Sequence, residues 1–101
     1  MVKHVILWTL KDEYSESEKE KIKKDMKEAL EGLVGKIPGL TELKIYTHGL
    51  ASSKNAEVML DSTFDSEEAL KAYAVHPEHV AVADGKVRPF TATRSCFDFE
   101  T

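Results

Sequence analysis

The stretch Ala74-Val75-His76-Pro77-Glu78-His79-Val80 reads as a helix broken at one residue. Just upstream, Ser66-Glu67-Glu68-Ala69-Leu70-Lys71-Ala72-Tyr73 has a good N-cap in Ser66 and an amphipathic body. Pro77 fixes its own φ, has no amide proton, and pushes His76 out of the α region. The first helix therefore stops at His76. A second starts on Pro77, which suits a first helical turn, and carries on to about Lys86. The break holds two imidazoles, His76 and His79, next to Tyr73. Histidine titrates near neutral pH, so such a spot suits proton transfer.

Working outward, the chain reads as four strands and two main helices, with no repeat, linker or low-complexity tract. Residues 2–10 alternate as a strand whose two sides, Val2, His4, Ile6, Trp8, Leu10 and Val5, Leu7, Thr9, are both largely apolar. That pattern predicts burial on both faces. Ser15 and Glu18 form a capping-box pair. After them Ile22, Met26, Leu30, Leu33 and Ile37 recur every three or four residues, which predicts one core-facing helix ending at Gly35 and Pro38. Strands are expected at about 41–48, 56–64 and 90–99, with a flexible polar turn from Gly49 to Asn55. In the last strand Phe97 and Phe99 share one face, while Arg94, Cys96 and Asp98 share the other.

The order β-α-β-β-α-β predicts an α+β, ferredoxin-like fold: a four-stranded antiparallel sheet with its helices on one face. The other face would then be bare, although Val5, Leu7, Phe97 and Phe99 fall there. A second copy of the chain, packed sheet to sheet about a two-fold axis, is the expected cover.

Composition narrows the classes of partner. A chain of 101 residues is one domain by length, 1–101. With 14 basic and 18 acidic residues its formal charge is −4, which argues against nucleic acid and anionic membranes. The apolar run Val5-Ile6-Leu7-Trp8 is too short for a signal-peptide core. Cys96 is the sole cysteine, so no internal disulfide forms, and a free thiol fits a reducing cytosol. The expected location is the cytoplasm. No cofactor or metal is expected. His76-x-x-His79 has a ligand-like spacing, but Pro77 breaks the helical face and no third ligand is obvious.

The chain resembles the stress-responsive A/B barrel (Dabb) family. The matching pieces are Val2-Lys3-His4-Val5, Ile37-Pro38-Gly39, Ser62-Thr63-Phe64, the run from Tyr73 through His76-Pro77-Glu78-His79-Val80, Asp84, and Phe97-Asp98-Phe99. The resemblance implies a dimeric α/β barrel with a small-molecule pocket between sheet and helices in each subunit. It further implies roles by likeness to a plant polyketide cyclase of the family, which closes a linear chain by an aldol-type condensation. His79 matches its catalytic histidine, Tyr73 its catalytic tyrosine, His4 a pocket histidine and Asp98 an aspartate of the last strand. Asp98 is expected to hydrogen-bond His79 and orient it as a general base, while Tyr73 donates to a substrate carbonyl. His4, Ile6, Trp8, Leu60 and Arg94 are the expected substrate-binding residues. This chain departs from the cyclase at Val58, Arg94 and Cys96 and in its aliphatic first-helix stripe, which implies a more polar pocket of different shape.

Each of these residues also has a plainer reading. His79 can cap a helix or form a structural pair. His76 can serve only to end a helix, Tyr73 and His4 can be satisfied core residues, and Trp8 can be packing. Cys96 can be an inert small hydrophobe. Arg94 either pairs with Asp98 or binds a substrate carboxylate. Three functions follow: a cofactor-independent cyclase or lyase, a non-catalytic ligand-binding or stress-response dimer, and a monooxygenase such as other dimeric α/β barrels provide. A shared fold does not choose between them.

Overall fold

The structure, a computed structural model, describes residues 1–101. Strand β1 spans Val2–Leu10 and α1 spans Glu16–Glu31; β2 (Leu40–Tyr46) and β3 (Val58–Phe64) follow. Next come α2 (Glu67–Val75), α3 (Pro77–Val82), a π-helical turn (Ala83–Val87) and β4 (Thr91–Glu100). The sheet order is β2-β3-β1-β4 and every neighbouring pair is antiparallel. This is the ferredoxin-like arrangement. No helix is long and apolar enough to cross a membrane.

Helix α1 begins with the full capping box: Ser15 Oγ accepts from the Glu18 amide, and the Glu18 carboxylate accepts from the Ser15 amide. It ends one and a half turns earlier than the apolar spacing predicts. Gly32 caps it, and the Leu33 amide donates to Leu30 O three residues back, so the chain tightens into turns. Gly35, at φ 92°, takes the left-handed step that ends them. Leu33 and Ile37 are nevertheless buried, so the periodicity reported burial correctly and helix length wrongly. At the same end of α1, Glu31 accepts from Lys27 at 2.7 Å and from the Ile45 amide at 2.9 Å, which ties the helix to the open edge of β2.

The core lies between the sheet and the helices. Ile22, Met26 and Leu30 of α1 meet Leu43 and Ile45 of β2, Val58 and Leu60 of β3, and Ile6 and Trp8 of β1. Gly39 sets the approach of β2 to α2. Its φ is 85°, and a Cβ there would lie 2.5 Å from Ala69 Cβ, so neither the backbone nor the space admits a side chain.

The other face of the sheet is open in the single chain. Leu7, Phe97 and Phe99 are exposed there, and the rings of Phe97 and Phe99 pack on each other at 5.7 Å. Along β4 every residue after Thr91 is exposed.

Candidate functional site

The helix break forms as its sequence dictates. His76 is extended (φ −67°, ψ 134°) and ends α2, and Pro77 occupies the first turn of α3. His76 Nδ1 accepts from the Glu78 amide at 3.1 Å, so this imidazole is the N-cap of α3. The kink brings His79 back over α2. Its Nδ1–H donates to the Ala74 carbonyl at 3.3 Å, and its ring lies 4.1 Å from that of Tyr73.

Tyr73 is buried in an aromatic cluster. Its ring centroid lies 5.0 Å from Phe64 and 6.2 Å from His4, both edge-on. Its hydroxyl makes no hydrogen bond within the chain and borders a cavity of about 320 Å³. Burial pushes the phenol up to about 12, so it stays protonated at neutral pH, although the charge of Arg94 opposes that rise. The cavity lies between β1, β3, α2, the π-helical turn and the start of β4.

The cavity brings together His4, Ile6, Trp8, Leu60, Tyr73, His79 and Arg94. Asp98 is not on its wall but lines a larger, more open pocket alongside, with Cys96. The expected pairing of Asp98 with His79 does not form, and the strand register explains why. His4 stands directly opposite Asp98 on β4, and cross-strand partners share a face. His4 Nδ1–H donates to Asp98 Oδ1 at 2.5 Å, and the Cys96 thiol donates to the same oxygen at 3.3 Å. The carboxylate thus orients His4, and His79 takes its orientation from a backbone carbonyl. Both rings carry their proton on Nδ1, which leaves Nε2 as an acceptor on each.

The electrostatics follow from these contacts. Desolvation against Tyr73 draws His79 below its usual 6.5, and the nearby Arg88, His4 and Arg94 add to the shift. Burial pushes the Asp98 carboxyl up, but its hydrogen bonds from His4 and Cys96 and the Arg94 charge outweigh that and hold it low. Burial and the Asp98 carboxylate raise the Cys96 thiol. The ligand atoms of His4, Cys96 and Asp98 lie within 4.8 Å of one another, the one trio close enough to share a metal ion. As arranged they form a hydrogen-bonded set, with a protonated thiol and imidazole both donating to the carboxylate.

Arg88, Ala83 and Val87, to which the sequence pattern assigns no role, also line the cavity. The cause is the π-helical turn. The Arg88 amide donates to Ala83 O at 2.8 Å, five residues back, and this wider turn carries Ala83 and Val87 inward. Arg88 pairs with Asp84. A helical pattern over 77–86 with Gly85 in it was the only available sign.

A family model for the stress-responsive A/B barrel domain matches residues 2–101. The chain belongs to this family. It is 32% identical to olivetolic acid cyclase of Cannabis sativa over 102 residues, covering 97% of this chain and 94% of that protein. Among solved structures it superposes with a TM-score of 0.88 on a dimeric ferredoxin-like protein of unknown function from Bacteroides fragilis. The two are 33% identical, and the match covers 99% of this chain and 95% of that one. A second A/B barrel family protein, from Mesorhizobium loti, has a TM-score of 0.75 at 21% identity over 99% of this chain and 95% of that one, which shows the shared fold.

Proposed function

We propose that this A/B barrel protein is a cofactor-independent acid–base enzyme of the cyclase or lyase type, acting on a small carbonyl compound in the cavity. One observation carries the reading: two imidazole acceptors and an unpaired phenol donor border a single cavity. His79 Nε2 takes a proton from the carbon next to a carbonyl. The electron pair moves onto the carbonyl oxygen, where the Tyr73 hydroxyl stabilises it. The resulting enolate attacks a second carbonyl of the same molecule, and the imidazolium returns its proton to the new alkoxide. His4 adds a second acceptor at the same wall. Asp98 is a positioning residue, holding His4 in the Nδ1–H tautomer. At about 320 Å³ the cavity is at the small end of the ligand-site range of about 300–1,000 Å³, which favours a compact substrate.

The working unit is a homodimer, its two sheets meeting through Val5, Leu7, Phe97 and Phe99. Leu7, Phe97 and Phe99 are exposed large apolar groups on one sheet face, and the similar Bacteroides fragilis protein is dimeric. The interface should bury more than about 1,000 Å² in total. No nucleic acid or membrane partner belongs to this reading, and the free Cys96 thiol suits a cytoplasmic location.

A non-catalytic ligand-binding dimer is the second reading. It is favoured by the completeness of the Asp98 hydrogen bonds, which already satisfy His4 Nδ1 and the Cys96 thiol. One experiment separates the two. In D2O, the wild-type protein should speed deuterium exchange at the α carbon of acetophenone or of its acid counterpart 4-acetylbenzoate, followed by proton NMR. His79→Gln should stay folded and lose about 10²–10⁴-fold of that rate. No acceleration over buffer by the wild type, or full acceleration by His79→Gln, rejects the enzyme and leaves the binder.

A further inference from the structure

Arg94 is a free cation at the reacting groups. It stands opposite Trp8 on β4, so it shares the helix-facing side of the sheet with His4 and Ile6. Its natural partner would be Asp98, two residues along the same face. The structure gives that carboxylate to His4 at 2.5 Å and to the Cys96 thiol at 3.3 Å, and Arg94 forms no ion pair. The other arginine on the cavity wall, Arg88, is paired with Asp84. No aspartate or glutamate lines this cavity, although Arg94 also borders the more open pocket alongside, whose wall carries Asp65, Glu67, Glu68, Asp98 and Glu100. Of the two outcomes open to Arg94 in the sequence, an ion pair with Asp98 does not form, and the Arg94 charge acts on that carboxyl only from a distance.

Resting on the acid–base reading of the cavity, we propose that its substrate carries a carboxylate and that the unpaired Arg94 guanidinium is the group that selects it. The guanidinium fork matches the two oxygens of a carboxylate, and an aromatic or keto acid held there extends inward along β1 toward Tyr73 and His79. Arg94, Tyr73 and His79 line the same cavity of about 320 Å³, which puts them within reach of one small molecule. The substrate class is then a compact carbonyl acid, with its acid group at the β4 side and its reacting carbon under the kink. An exposed arginine without a partner would be an ordinary surface residue. This one differs because it borders the cavity that holds Tyr73 and His79 and forms no ion pair there.

The test is a titration of the full chain, followed by heteronuclear NMR at the Tyr73 and His79 signals, with benzoate, methyl benzoate and inorganic phosphate as probes. Benzoate should bind at least about tenfold tighter than its neutral ester, as expected for a charge-assisted pair. Arg94→Gln should bring benzoate down to the level of the ester, and Arg94→Lys should fall between. Equal affinity for benzoate and the ester, or unchanged benzoate affinity in Arg94→Gln, overturns the role of Arg94. Tighter binding of phosphate than of benzoate overturns the carboxylate class. If the ester still enters and moves the Tyr73 signal in those cases, the acid–base cavity itself stands. If no probe reaches Tyr73 or His79, both readings fall.

Discussion

Strands β3 and β4 both pair with β1, one on each side, and they end in opposite states. In β3 the residues Val58, Leu60, Ser62 and Phe64 are all buried, alternating with half-exposed neighbours. In β4 no residue is buried, although Phe97 and Phe99 are as apolar as anything in β3. The difference is cover. Helix α1 packs on β2, while β4 makes its main contacts with β1. An uncovered strand can keep polar groups on its helix-facing side, and β4 does so with Arg94, Cys96 and Asp98. The covered half of the sheet builds the core, and the uncovered half carries the polar side chains.

The comparison is broken most severely from the covered side. Phe64 is fully buried and holds the Tyr73 ring, so Phe64→Ala should cost about 3–5 kcal/mol in urea unfolding. Phe97→Ala should change the stability of the separated chain by no more than about 0.5 kcal/mol. Similar costs for the two would mean that β4 is part of the core. A smaller but still clear effect belongs to the join between β2 and α2. Gly39→Ala combines a left-handed φ with a Cβ contact at 2.5 Å and should cost roughly 2 kcal/mol or more, read by the same unfolding curve. Asp98→Asn removes a charge-assisted bond on a side chain 46% exposed, and solvent screening should keep the loss under about 1 kcal/mol.

The weakest effect is the pH dependence of β4. The Asp98 carboxyl sits lower in the fold than in the unfolded chain, whose value is near 3.8. Its contribution is therefore complete above that value and disappears as pH falls through the lower folded one. His79 is also lowered, from 6.5, so its neutral form is favoured by the fold and acidification below 6.5 begins to work against it. Amide exchange should show β4 and α3 losing protection on acidification before β3 does. Simultaneous loss across the sheet would erase the distinction between the two halves.

Much of the fold was legible because it rests on local rules. The capping box at Ser15, the N-cap at Ser66, the break at Pro77 and the alternation in β1 and β3 all act over a few residues. The errors came where local signals compete. The apolar spacing through Leu33 and Ile37 counted buried residues but missed that Gly32 and Gly35 unwind the helix between them. The π-helical turn at Ala83–Val87 shows in the sequence only as a helical pattern with Gly85 in it, because a five-residue hydrogen bond has no sequence period of its own. The gathering of Tyr73, His79 and His4 was anticipated from the family resemblance, whereas the choice of partner for Asp98 was not.

By itself the sequence determined element order, the helix break, the polar face of β4 and the apolar face opposite it. These follow from backbone sterics and side-chain periodicity, which are properties of neighbours along the chain. Only the tertiary structure decided that Asp98 belongs to His4, that His79 leans on a backbone carbonyl, and that Arg94 is left unpaired. Which carboxylate meets which imidazole depends on the register between strands 94 residues apart, and no local preference encodes that.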